Sequence, residues 1–248
     1  MGKIIPAFIP HAGCPHQCVF CNQKTISGQQ VSGVEAAKTQ IEKYGKWVQP
    51  SINNEIAFYG GSFTALPMDF QENLLKLGNQ YLDKGWAGSI RLSTRPDYIN
   101  GEELALLKKY RVTLVELGAQ SLDDKVLVLA ERGHTAQDVA NAVRLLRKYN
   151  FKVGLQFMIG LPGQDEASFK NTIARGLALK PDIVRIYPLL VIKDTPLAKS
   201  FEEGKYTPLT LDEAVKECYE AYAAFTAAGI TVIRMGLQPD AELMKIGN

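Results

Sequence analysis

Short apolar runs and longer amphipathic stretches take turns along this chain almost without a break. Ile4 to Ile9, Glu55 to Tyr59, Ser89 to Thr94, Val112 to Leu117, Lys152 to Met158, Ile183 to Tyr187 and Ile230 to Arg234 have the length and composition of strands. Between them, Val34 to Val48, Pro67 to Leu82, Glu102 to Tyr110, Asp123 to Ala130, Ala136 to Tyr149, Glu166 to Leu179 and Leu211 to Ala227 carry apolar residues at helical spacing. The punctuation agrees with this division. Ser32 and Gly33 are candidate caps, Pro67 opens a first helical turn, and Gly160-Leu161-Pro162-Gly163 stops a strand.

Six βα units followed by one further strand predict a parallel sheet with helices packed outside it. Six units are too few to close an eightfold barrel. They suit an α/β fold of the partial (β/α)6, TIM-like kind, open and curved. A flat doubly wound sheet is the alternative, because strand order cannot be read from sequence. In either case the functional loops lie at the carboxyl ends of the strands. The chain reads as a single domain over 1–248, with the first strand and its loop in 1–33 and the core units in 34–187. The last helix and strand fall in 188–248, where the ending ELMKIGN points to a missing C-terminal portion.

Composition narrows the classes. The 248 residues are 46% hydrophobic and 22% charged, enough for one large core, and the net charge of +2 demands no nucleic-acid partner and excludes none. No stretch approaches the roughly 20 apolar residues of a membrane span, and the N-terminus lacks the apolar core of a signal peptide. Three of the four cysteines are clustered, which fits a reducing compartment and a cytoplasmic location. The fourth, Cys218, falls at helical spacing with Ala214, Tyr222 and Phe225 and reads as a buried core thiol.

The cluster is the strongest chemical signal. Cys14, Cys18 and Cys21, in GCPHQCVFC, are spaced C-x3-C-x2-C. Three thiolates can hold three irons of a [4Fe-4S] cube and leave the fourth iron open to a ligand. A zinc site completed by His11 or His16 stays open on spacing alone. Further polar groups sit at strand ends. Gly60 and Gly61 let a ligand approach the backbone after the second strand. Ser93 and Thr94 point to opposite faces of the third, with Ser93 favoured to face inward, and Arg95 can pair with Asp97. Gln120 ends the fourth strand and can donate and accept at once. Arg132 offers a planar fork suited to a carboxylate. Gln156 is a polar residue within an apolar strand and needs a partner. Arg185 and Tyr187 share one face of the sixth strand, either toward a substrate or as surface residues, and His134 is either a proton donor or a loop residue.

The cysteine motif, together with YGGSFTALP, STRPDY, ELGAQSLDD, ERGHT and GLQFMIGLPG, resembles the radical S-adenosylmethionine (SAM) superfamily, and within it the Elongator catalytic-subunit-like branch. Oxygen-independent coproporphyrinogen oxidases are a more distant resemblance. The resemblance implies a [4Fe-4S] cluster on Cys14, Cys18 and Cys21 and SAM bound at its open iron. It implies SAM contacts from Phe20, the Gly60-Gly61-Ser62 turn, Ser93, Gln120, Arg132 and Gln156, with groups around Ile159 and Leu161 flanking adenine. It further implies reductive SAM cleavage to a 5'-deoxyadenosyl radical, an external one-electron reductant of flavodoxin or ferredoxin type, and tRNA as a candidate substrate. Two departures bear on this: Ser62 stands where a Glu is commoner, and no acetyltransferase segment follows the radical domain. A zinc-binding RNA-associated module and a cluster-binding sensor without turnover are the alternatives. The sequence specifies no oligomeric state.

Overall fold

The computed structural model describes residues 2–9, 13–22 and 33–236. His11, Ser32 and the chain from 237 onward, which include a candidate zinc ligand and a candidate cap, lie outside the described residues. Seven strands form one sheet: β1 (Ile4–Ile9), β2 (Glu55–Gly60), β3 (Ser89–Thr94), β4 (Val112–Gln120), β5 (Lys152–Ile159), β6 (Ile183–Pro188) and β7 (Thr231–Met235). The helices are α1 (Val34–Gly45), α2 (Met68–Asp83), α3 (Gly101–Lys109), α4 (Asp124–Leu129), α5 (Ala136–Lys148), α6 (Glu166–Ala178), α7 (Pro196–Glu202) and α8 (Leu211–Ala227).

The strands are hydrogen-bonded in the order β1-β2-β3-β4-β5-β6-β7, and every pair is parallel. This order decides between the two predicted architectures. A doubly wound sheet reverses direction at a switch point and so covers both faces with helices. Here the order never reverses, so right-handed crossovers put the helices on one side. The sheet curls into a half-barrel, and its two faces differ accordingly.

Strand alternation sorts the side chains between those faces. Ile5, Phe58, Leu92, Val115, Leu155 and Ile186 point toward the helices and are almost fully buried in the main apolar core. The intervening positions line the concave face, where the register brings Ser93 opposite Glu116 and Gln156 opposite Arg185. Helix starts are set by polar caps: Asn100, Asp123, Thr135, Asp165, Thr195 and Thr210 each accept a backbone N–H in the first turn. Gly33 begins α1 without a side-chain cap.

Three readings change. Helix α7 occupies a stretch to which the apolar spacing assigns no element, started by the Thr195 cap and Pro196. Strand β4 runs past Leu117 to Gln120 because a register shift lets the chain continue pairing with β5. Cys218 is half-buried at the edge of the core, and burial pushes its thiol up.

Candidate active site

At the carboxyl ends of the strands an open cavity of about 130 Å³ is lined by Cys14, Cys18, Cys21, Phe20, Gly60, Gly61, Ser62, Ser93, Gln120, Arg132 and Gln156. Residues from six separate loops and strands, up to 142 positions apart in sequence (Cys14 to Gln156), thus meet in one place.

Each wall has a local cause. Gly60 has φ +109, and a Cβ there would meet the Ile9 backbone at 3.0 Å, so only glycine fits between β2 and β1. Beneath it, the Ser62 hydroxyl is 3.0 Å from Thr94 Oγ1 and accepts from Arg95 N at 3.2 Å, while Thr94 and Thr64 hydroxyls lie 2.6 Å apart. This knot engages the Ser62 hydroxyl, which is almost fully buried: Arg95 N needs an acceptor, and Ser62 supplies it, while the residue itself lines the cavity. Thr94 shares the knot, whereas Ser93 is half-buried and lines the cavity as expected.

Arg132 sits between the cysteine loop and β4. Its Nη1 donates to Cys18 Sγ at 3.0 Å and its Nη2 to the Gly118 carbonyl at 2.7 Å. Arg95 holds this segment from behind, bonding Asp97 through two parallel hydrogen bonds of 2.9 Å and the Arg132 carbonyl at 2.6 Å. Gln120 ends β4 with φ +63, an unusual backbone for a non-glycine residue. His134 is buried, its Nε2 lies 3.3 Å from the Ala119 carbonyl, and it does not reach the cavity wall. Burial, then the charges of Arg132 and Arg95, lower its pKa to about 4, so the ring is neutral at pH 7.

The side chains of Ile159 and Leu161 are buried in apolar clusters. Ile159 follows the alternation of Leu155 and Phe157, so its side chain is buried in the helix-covered core. Leu161 packs with Cys18, Phe20, Val126, Leu189 and Leu197 in a smaller apolar cluster under the cysteine loop. Neither lines the cavity.

Below the cavity the concave face carries a buried ionic network. Glu116 is fully buried and receives Arg185 Nε at 2.5 Å, Arg185 Nη2 at 3.1 Å, Tyr59 OH at 3.0 Å and Gln156 Nε2 at 3.0 Å. Arg91 Nε lies 3.3 Å from the same carboxylate, and its Nη1 reaches Glu55 at 3.0 Å. Burial alone would raise the Glu116 carboxyl, but the Arg185 and Arg91 charges and these hydrogen bonds hold it below the usual carboxylate range. Arg185 is therefore neither surface decoration nor free to grip a substrate. Arg91 and Tyr59 escape motif reading, yet each is a polar residue within an apolar strand, two positions from a cavity residue.

The donor set fits a cluster with a polar ligand beside it. None of the four cysteines is in a disulfide, and three of them line this cavity. Three thiolates on one wall can hold three irons of a [4Fe-4S] cube. Gln120 Oε1 and Arg132 Nε are buried without protein partners. An orphan acceptor and an orphan charged donor on one cavity wall are what a bound polar ligand would satisfy.

Comparison with known proteins agrees. Residues 8–175 match the radical SAM superfamily and residues 181–248 the radical SAM C-terminal domain. The tRNA uridine(34) acetyltransferase of Methanocaldococcus jannaschii is 30% identical over 245 residues, covering 82% of this chain and 45% of that protein. Elongator complex protein 3 of Saccharomyces cerevisiae is 27% identical over 246 residues, covering 79% of this chain and 43% of that protein. The chain thus spans about half the length of these relatives. Elp3 of Methanocaldococcus infernus shares the fold, with a TM-score of 0.74 at 21% identity over 98% of this chain and 61% of that one. With thiols, orphaned polar groups and half-barrel in place, and with the match covering most of its length, the chain belongs to the radical SAM superfamily of enzymes, and its likeness runs to Elongator-type proteins.

Proposed function

We propose that Cys14, Cys18 and Cys21 hold a [4Fe-4S] cluster, that SAM binds in the cavity beside it, and that the enzyme acts on RNA, with tRNA the candidate substrate. The observation that carries this reading is the convergence of three thiols, a glycine-lined turn and the unpartnered Arg132 and Gln120 atoms on one cavity. When bound, cluster and SAM supply a 5'-deoxyadenosyl radical that abstracts hydrogen, after one electron from a flavodoxin- or ferredoxin-type reductant.

The chain's own residues bind, orient and shield. Arg132 places a positive charge against the Cys18 sulfur. Its unpartnered Nε is a donor for a carboxylate, and Gln120 Oε1 is an acceptor for an ammonium or hydroxyl group. Gly60 and Gly61 leave room for a ligand against the backbone, and Phe20 covers the cysteine side. The tRNA reading is supported by relatives whose names specify tRNA uridine(34) and which match over most of this chain. A cytoplasmic location belongs to the same reading, since reduced thiols need a reducing compartment. No helix among the described residues is long and apolar enough to cross a membrane.

Anaerobic reconstitution tests it. Roughly four irons and four sulfides per chain are expected. They should be absent from the Cys14→Ser, Cys18→Ser, Cys21→Ser variant, and 5'-deoxyadenosine should form under strong reductant and rise with added tRNA. One zinc per chain and no sulfide would overturn the cluster, and a cluster without 5'-deoxyadenosine would leave a sensor. Cluster and 5'-deoxyadenosine with no response to tRNA would remove the substrate alone.

A further inference from the structure

Glu116 has no contact with the cavity, yet it controls what one cavity wall presents. Its two oxygens are surrounded by donors only: two from Arg185, one from Tyr59, one from Gln156, with Arg91 Nε beside them. A carboxylate can only accept, so the Gln156 side chain must turn its NH2 inward to meet it. The amide is planar, and its oxygen is left pointing away from Glu116. None of the described residues donates to that oxygen, and Gln156 lines the cavity.

The surrounding residues are shaped to keep this arrangement. Gly154 is directly opposite Glu116 in the β4–β5 register, and a Cβ there would stand 2.9 Å from Glu116 Cγ. Glycine at that position makes the room the carboxylate occupies. Tyr59 both accepts from Arg185 Nη2 at 2.6 Å and donates to Glu116, which closes the ring of bonds.

We propose that Glu116 is a positioning residue that sets the hydrogen-bond polarity of the cavity, fixing the Gln156 amide so that its oxygen accepts from a hydroxyl or amine of the bound nucleoside. This rests on the reading of the cavity as a SAM site. It reaches beyond it in naming a fully buried residue, remote from the ligand, as the one that decides whether that wall accepts or donates. Replacement of Glu116 by Gln would place an amide against an amide. Gln156 would then turn its oxygen inward and present NH2 to the ligand.

Two measurements test this, one of which needs no ligand. In the cluster-free chain labelled with 15N-glutamine, Gln156 should show two widely separated NH2 protons, one shifted downfield by the carboxylate. The separation should collapse in Glu116→Gln. In the swapped pair Glu116→Gln, Gln156→Glu, an amide again faces a carboxylate and an acceptor oxygen again faces the cavity, and the same signature should appear on the new glutamine. In reconstituted protein, S-adenosylhomocysteine should bind at least tenfold more weakly to Glu116→Gln and recover to within about threefold in the swapped pair. Gly154→Ala keeps every charge and displaces the carboxylate, so it carries the test if Glu116→Gln does not fold, with weaker binding expected. Wild-type protein that fails to bind the probe would overturn the SAM reading and this inference together. Wild-type binding with unchanged affinity in Glu116→Gln and Gly154→Ala would overturn this inference alone.

Discussion

His134 and Gly133 show how single positions hold the cysteine loop in place. His134 keeps its proton only below a pKa of about 4, against about 6.5 for an exposed ring. Above pH 6.5 both folded and unfolded chains carry a neutral ring, and the contribution to stability is complete. As pH falls from 6.5 toward 4, the unfolded chain binds a proton that the fold rejects, and stability is lost. Urea unfolding near pH 7 and near pH 5 should show wild type losing up to about 2 kcal/mol more than His134→Gln over that interval. Equal losses would mean that His134 is solvated in the fold. Gly133 has φ +70, and a Cβ there would stand 2.5 Å from the His16 ring of the cysteine loop. Gly133→Ala should therefore cost about 1–2 kcal/mol from backbone strain and lower iron retention by pushing His16 aside. Adding His16→Ala should restore the iron and leave the backbone cost. Iron that stays low in the double variant would show that the loop answers to strain alone.

Among the elements, strands and helices were legible where periodicity was strong, and boundaries agree within a few residues. The helix-covered core follows from strand alternation, and the need of Gln156 for a partner follows from its place in an apolar strand. What escaped was set by contacts distant in sequence. The Ser62 hydroxyl bonds Arg95 N, thirty-three positions on, and the Ile159 side chain joins the helix-covered core by strand parity. Helix α7 is short, and its signal was only Thr195 followed by Pro196. Thr195 Oγ1 donates to the Ile192 carbonyl at 2.6 Å and accepts from Ala198 N at 3.1 Å. Beyond that cap, Leu197 N donates to the Val19 carbonyl at 2.8 Å, tying α7 to the cysteine loop. Thr195→Ala should cost about 1 kcal/mol as a lost cap. Amide exchange should quicken at Leu197 and through residues 18–21, while β3 and β4 keep their protection. Unchanged exchange in the cysteine loop would show that α7 does not brace it.

At the scale of the molecule, the half-barrel separates what makes it stable from what makes it reactive. The main apolar core runs along the helix-covered face from β1 to β6 and contains none of the three clustered cysteines. Only Cys18 is buried, in the smaller cluster with Phe20, Leu161 and Leu197. A small zinc domain gains its folding free energy from the metal, because it has too little core of its own. This chain has its core elsewhere, so loss of the metal ligands should leave the fold standing. Cys14→Ser and Cys21→Ser change half-buried positions. Cys18→Ser removes sulfur from an apolar cluster but keeps an acceptor for Arg132. Together they should cost about 1–2 kcal/mol, and in a domain of this size each kcal/mol moves the melting temperature by about 2–4 °C. The triple variant should therefore melt cooperatively within roughly 8 °C of cluster-free wild type, with unchanged far-ultraviolet circular dichroism. Loss of the cooperative transition would mean that the cysteine loop is part of the folding core and that the two faces are not energetically separate. A normal transition would mean that the cluster is assembled on a finished fold, so that iron content and folding can be disrupted independently.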